Sequence, residues 1–334
     1  MPFSIDVLTV TYGNRWPTLR DTLLALKTCP YIRRVTIMDN GSIYSIAEQL
    51  HYIETVPVQL ILLPENLGSA SAYGMGMQIL SEQEDVQQVL LLDDDLLLHP
   101  DCTRALHDAY QTLLAQHAPD QLMLQCMRPD RAYLKYAAKG KEVSMFFPMP
   151  DHFLGFHLFR PDIRLRKRKL QRTLGQLPDQ PYVSIPCAPY GGLLMHKSAI
   201  LHFGIPNAVF HTYADDFDHT LRCTRKGAAL YLIPNAIAED RVPTLVNKRK
   251  GGFMSAKFFD MPDRHLFLLM RNTAAYTRQQ LVRHLWMYQL NRYIYTGYLF
   301  CSALLHGKWR SFKIFTFAVR QGTRGILRTT DIPD

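Results

Sequence analysis

The sequence has no apolar run long enough to span a bilayer, the longest stretch being Tyr293 to Leu305. Its first residues, Met1-Pro2-Phe3-Ser4-Ile5-Asp6, lack the basic segment and apolar core of a secretory signal. The expected location is therefore cytoplasmic. Six cysteines (29, 102, 126, 187, 223 and 301) are scattered without paired spacing, which argues against a disulfide framework or a zinc knuckle. Internal repeats, low-complexity segments, a Gly-x-Ser-x-Gly elbow and a Walker loop are all missing. His196, His202, His211 and His219 lack the repeated spacing of a metal cluster, and Gly74-Met75-Gly76 sits inside a helical pattern, where a dinucleotide fingerprint does not belong. No RNA-binding motif accompanies the basic residues, so nucleic acid is not an expected partner.

The absence that says most is of acid. Between His265 and Thr330 there is no Asp or Glu, while ten of the 38 basic residues fall there. The remaining 28 face 29 acidic residues, so the net charge of +9 belongs almost wholly to the tail. Such segregation points to an anionic partner surface.

With 334 residues and 47% hydrophobic composition, the chain has material for a large α/β domain and an appendage. Apolar, β-branched runs at Ile5–Thr11, Arg33–Met38, Val58–Leu63 and Val89–Leu92 alternate with helical patterns through Leu19–Leu26, from Ser42 to about Glu54, and from Gly68 to about Ser81. Four strands and three helices before residue 100 predict a parallel, doubly wound sheet. Asp39 and Asp93 close the second and fourth strands, at the edge where such sheets bind ligands. From Arg128 to Tyr182 the periodicity weakens around a basic knot (Arg164, Arg166, Lys167, Arg168, Lys169, Arg172), which reads as an insertion or mobile loop. Strands then follow near Val183–Pro189 and Leu193–Met195, a short helix at Ser198–Phe203, and an acid-led helix from Asp215 to Lys226. A strand at Ala229–Ile233 and a turn at Pro234-Asn235 lead to Glu239-Asp240.

Asp93-Asp94-Asp95 needs an explanation, because three adjacent carboxylates repel unless a cation or a hydrogen-bonding shell compensates them. Asp93 and Asp95 are two apart and share a face on an extended segment.

Taken in order, Val10-Thr11-Tyr12-Gly13-Asn14-Arg15, Asp39-Asn40-Gly41-Ser42, Glu65-Asn66-Leu67-Gly68, Asp93-Asp94-Asp95, Tyr190-Gly191-Gly192, Asp215-Asp216-Phe217-Asp218 and Leu269-Met270-Arg271-Asn272 resemble the inverting nucleotide-sugar glycosyltransferases of family two, in particular the rhamnosyl- and galactofuranosyltransferase group. That resemblance implies an α/β GT-A fold, a mixed, mostly parallel sheet flanked by helices. It would occupy residues 1–263, with a nucleotide-binding half to about residue 100, the insertion at 128–182 and an acceptor half at 183–263, ahead of a basic helical extension at 264–334. It further implies Mn²⁺ or Mg²⁺, a UDP- or dTDP-linked sugar donor, and a saccharide or lipid-linked glycan acceptor in bacterial surface polysaccharide assembly. By the same resemblance, Asp95 ligates the metal while Asp93 and Asp94 share ribose and metal contacts. Thr11, Tyr12, Arg15 and Asp39 face the nucleotide, Asn66 and Gly68 the sugar or diphosphate, and Asp216, beside Asp215, is the base. Related galactofuranosyltransferases place a His where this chain has Asp240, with Glu239 the alternative ligand; carboxylate suits the same hard cations.

The tail mixes Trp286, Tyr288, Tyr293, Tyr295, Tyr298 and Phe300 with isolated arginines, as interfacial helices on an anionic membrane do, and this places the protein peripherally on the inner face of the cell membrane. Two rival readings are a non-catalytic membrane-docking scaffold, for which Asp240 in the His position is the support, and a sugar-phosphate nucleotidyltransferase, for which Tyr12-Gly13-Asn14-Arg15 is a poor triphosphate loop.

Overall fold

A computed structural model of the chain describes residues 3–139, 143, 146–162, 180–241 and 257–328. The basic knot of Arg164 to Arg172 lies outside the described residues. The chain forms two compact units, one of residues 1–143, 177–211 and 216–242, the other of residues 144–176, 212–215 and 243–334.

The first unit is a nine-stranded sheet: β1 (Ile5–Gly13), β2 (Ile32–Ser42), β3 (Val58–Leu62), β4 (Gln88–Asp93), β5 (Leu96–Leu98), β6 (Leu122–Met127), β7 (Val183–Ser184), β8 (Leu193–His196) and β9 (Ala229–Asp240). Their spatial order is β3-β2-β1-β4-β8-β6-β9-β5, with β7 beside β9. β1 to β4 are parallel, β8 runs antiparallel between β4 and β6, and β6 and β9 are parallel. β1 and β4 are covered on both faces, which is why they read as apolar runs rather than alternating ones. Helices α1 (Trp16–Leu26), α2 (Ile46–Leu50), α3 (Ser69–Glu82), α4 (Cys102–Leu113), α5 (Ala132–Ala138), α6 (Lys197–Phe203) and α7 (Asp215–Arg225) connect the strands. In α4, Cys102, Leu106, Tyr110 and Leu113 are buried, the spacing of a helix with one face on a core.

Two local expectations are corrected. The second helix stops at Leu50 rather than near Glu54, giving way to a turn at His51-Tyr52. Pro234-Asn235 makes no turn; β9 runs unbroken to Asp240 through a register shift opposite Cys126 and Met127. Proline has no amide proton to give a ladder, and an irregularity in the pairing is where a strand tolerates it.

The second unit contains α8 (Asp263–Tyr276), a π-helical turn at Thr277–Leu281, α9 (Leu285–Leu305) and α10 (Trp309–Thr323). Its core packs Phe153, Leu266, Phe267, Tyr288, Phe312 and Phe315 together. Buried Asn291 ties α9 down, accepting from Leu158 N at 2.8 Å and donating to Asp151 O at 2.8 Å. Among the described residues, no helix is long and apolar enough to cross a membrane.

Candidate active site

The carboxyl edge of the sheet is where charge collects. Strand register puts Asp39 beside Thr11 and Asp93 beside Val10, so the ends of β2 and β4 flank the exit of β1. The chain turns at Asp94-Asp95 and re-enters the structure as β5, which pairs antiparallel with β9; Leu96 lies opposite Asp240, and Arg241 N donates to Asp95 O at 2.7 Å. This pairing brings Asp240 to the aspartate run. Ligand oxygens of Asp93, Asp95 and Asp240 lie within 4.8 Å of one another. Glu239, one residue earlier on the strand, is exposed and outside that group.

Three arginines hold the cluster. Arg15 reaches Asp94 and Asp95, each at 2.7 Å, and Thr11 Oγ1 donates to Asp94 Oδ2 at 2.7 Å. Asp94 is thereby turned into the protein, with burial pushing its carboxyl above the ordinary range and Arg15 opposing that shift. Burial, then the charge of Asp93, raises Asp95 as well. Arg128, 2% exposed, donates from Nη1 to Asp93 Oδ2 at 2.9 Å and from Nη2 to Asp240 Oδ1. Arg131 contacts Asp130 at 3.1 Å and Asp240 at 3.4 Å. Burial and the neighbouring Asp130 push Asp240 up to about 6. This ion-paired set holds five carboxylates (Asp93, Asp94, Asp95, Asp130, Asp240) and three guanidiniums, an excess of two negative charges.

The residues fit a divalent cation. The donors are hard carboxylate oxygens, the charge excess equals that of one such ion, and Asp240 Oδ2 is buried without a hydrogen bond. Arg128 uses one oxygen each of Asp93 and Asp240; the second oxygens meet longer contacts, Asp93 Oδ1 with the Tyr73 hydroxyl at 3.4 Å and Asp240 Oδ2 with Arg131 Nη2 at 3.4 Å.

Asp216, in the first turn of α7, is half-buried, and its Oδ1 accepts from Phe217 N at 2.8 Å. Loss of solvation, together with the charge of Asp93, pushes it up to about 6 against the opposing Phe217 N–H. Asp215 is buried, and Asp218 is held by Arg222 Nε at 2.8 Å in an i, i+4 pair. Within the acidic helix start, Asp216 feels the charge of Asp93 in the carboxylate cluster. In the second unit, Asn272 Nδ2 donates to Thr212 O, fixing backbone where Tyr213 and Ala214 both have positive φ just ahead of Asp215.

Residues 6–172, half of the chain, match the family profile described as Glycosyl transferase family 2. The chain belongs to glycosyltransferase family 2. Among solved structures, GalNAc-T7 with UDP, GalNAc and Mn²⁺ matches with a TM-score of 0.52 at 11% identity, over 82% of this chain and 47% of that one. The mannosyltransferase PcManGT from Pyrobaculum calidifontis, in complex with GDP-Man and Mn²⁺, matches with a TM-score of 0.50 at 13% identity, over 96% of this chain and 75% of that one. The chain thus spans about half the length of GalNAc-T7. No curated protein matches it. At these identities the likeness concerns architecture, and the architecture is the GT-A fold.

Several family 2 motifs of this chain have a visible structural task. Asn66 Oδ1 accepts from Gly68 N at 3.0 Å and from Asn40 Nδ2 at 3.2 Å, so it shapes the loop before α3. Gly68 has φ +83°, and a Cβ there would lie 2.2 Å from His211 O. Asp39 accepts from Ser42 N at 2.8 Å. Tyr12 is exposed at the strand exit with the Arg15 guanidinium over its ring. Gly191, from the Tyr190-Gly191-Gly192 turn, passes so close to Asp93 and Arg128 that a Cβ would fall 2.4 Å from an atom of each. Arg128 itself escaped the sequence reading. The signal that singled out Asp93, a charge closing an apolar strand, was also present where β6 ends at Met127.

Proposed function

We propose that this chain is a metal-dependent inverting glycosyltransferase that moves a hexosyl, deoxyhexosyl or galactofuranosyl group from a UDP- or dTDP-linked donor to a saccharide or lipid-linked glycan, in polysaccharide assembly at the inner face of a membrane. The observation that carries it is the Asp93, Asp95 and Asp240 group at the carboxyl edge of a family 2 sheet, electrostatically coupled to Asp216.

In this reading Asp93, Asp95 and Asp240 hold Mn²⁺ or Mg²⁺, which when bound supplies positive charge for the diphosphate leaving group. Asp39 on β2 meets the nucleoside, while Thr11, expected there too, is fully buried and holds Asp94 through its hydroxyl instead. Asp216 takes the proton of the acceptor hydroxyl as its oxygen forms a bond to the anomeric carbon. The bond from that carbon to the donor phosphate oxygen breaks on the opposite side, the nucleoside diphosphate leaves with the electron pair, and the configuration inverts. A base near 6 is mostly ionised at neutral pH yet basic enough to accept a proton.

That value sets a pH dependence. Protonated Asp216 cannot act, so kcat/KM falls as pH drops through about 6, tenfold per pH unit below it. A profile flat down to pH 5 contradicts the assignment.

The rival reading, a non-catalytic scaffold, draws on Arg128, whose guanidinium already bridges Asp93 and Asp240. Calorimetric titration of UDP and dTDP with and without Mn²⁺ separates the two. The glycosyltransferase shows nucleotide binding strengthened by Mn²⁺. Asp240→Asn removes that dependence while exposed Glu239→Gln retains it, and absence of any metal-dependent nucleotide binding favours the scaffold.

A further inference from the structure

Helix α9 has two unlike faces. Tyr288, Asn291, Leu299, Ser302 and Ala303 are buried in the second unit. On the opposite side Trp286, Tyr293, Phe300 and Leu304 stand 62%, 67%, 40% and 59% exposed. At 100° per residue these four fall within about 40° of one another, along about 27 Å of helix. Single exposed apolar residues are ordinary, but three aromatics and a leucine aligned over this length are not.

The neighbouring helix says what covers it. Along α10, Lys313, Arg320 and Arg324 (the last at its C-cap) are exposed at i, i+7 and i+11, on one face, and none is ion-paired among the described residues. Exposed Trp309 begins that helix and meets Phe300 of α9 edge-on at 5.9 Å, so the aromatic stripe continues onto the helix that carries the cations. With no Asp or Glu from His265 to Thr330, a second copy of this face has no carboxylate to offer those cations.

We propose that α9 lies in the interface of an anionic lipid bilayer, with Trp286, Tyr293, Phe300 and Leu304 among the upper acyl chains and Lys313, Arg320 and Arg324 against the headgroup charge. Trp and Tyr favour this depth because one end of the ring system is apolar and the other polar. A 21-residue helix with one face packed into the core of the second unit offers only its other face to lipid, and so lies in the plane of a membrane rather than crossing it. The inference deepens the membrane part of the proposed function and rests on no catalytic step, so a chain that failed to transfer sugar would still be expected to bind vesicles.

The test uses the full chain with vesicles of phosphatidylcholine, alone or mixed with phosphatidylglycerol. The chain carries three tryptophans, so in Trp16→Phe only Trp286 and Trp309 report. Sedimentation with the mixed vesicles, a blue shift of that emission and its quenching by brominated acyl chains are expected, with much weaker sedimentation on phosphatidylcholine alone. Lys313→Glu/Arg320→Glu/Arg324→Glu should lower partitioning by about 100-fold or more. Trp286→Ser/Tyr293→Ser/Leu304→Ser should abolish quenching with circular dichroism unchanged, because the three side chains are exposed. No sedimentation with anionic vesicles, or sedimentation that neither variant alters, overturns the proposal. So does a lipid-free dimer in analytical ultracentrifugation that the serine variant dissociates, since the face would then belong to a second copy. Mn²⁺-dependent UDP binding, measured on the same preparations, reports separately on the site.

Discussion

Asp216→Asn is expected to lower kcat by about 10²- to 10⁴-fold, the range that a positioned general base supplies, while the Mn²⁺-dependent affinity for donor nucleotide stays within about twofold of the parent. The variant keeps the oxygen that accepts from Phe217 N, so the first turn of α7 is preserved. It removes the capacity to take a proton. A carboxamide also lacks the negative charge whose repulsion with Asp93 raises Asp216, so the metal-binding half of the site should be no weaker than before. With Mn²⁺ held saturating at each pH, so that protonation of Asp240 does not set the rate, the Asp216 limb near 6 should vanish from the residual activity. Single-turnover transfer with saturating donor and Mn²⁺ checks this; residual activity within tenfold of the parent would place the base elsewhere.

Arg128→Ala is expected to lower the stability of the metal-free chain by about 3–5 kcal/mol, the usual cost of removing one partner from a buried ion pair. Arg128 is 2% exposed and bridges Asp93 to Asp240, and without it two carboxylates are left facing each other beside Asp95. Their mutual repulsion, or the protonation needed to relieve it, is the source of the loss. Removing the guanidinium deepens the charge excess from two to three, so Mn²⁺ should recover part of the lost stability and raise the melting temperature of Arg128→Ala by more than that of the parent. Thermal melts with Mn²⁺ and with chelator measure both terms. Equal Mn²⁺ shifts in the two proteins would mean that Arg128 and the cation act on separate groups.

The strand and helix alternation of the first hundred residues was legible because parallel strands covered on both faces need apolar residues throughout, and helices between them need an apolar stripe. Asp93 was legible as an edge residue for the same reason, since a charge that ends such a run has left the core, whereas β2 runs past buried Asp39 to Ser42. The acid-free tail was also visible as composition, though which side of α9 is bare was not.

What only the tertiary structure decided is which distant groups meet. Asp240 joins Asp93 and Asp95 because β5 pairs antiparallel with β9, and Arg128 stands 35 and 112 residues from the two carboxylates it bridges. No local propensity encodes a pairing between strands so far apart, nor does a chain pattern tell Asp240 from Glu239. One residue of strand register selects which of the two faces the cluster, and that register follows from the packing of the whole sheet. The sequence by itself determined where the sheet would offer its edge and which chemical groups would stand there. The pairing of β9 with β5, and with it the closing of the carboxylate group around a buried guanidinium, came from three-dimensional contacts alone.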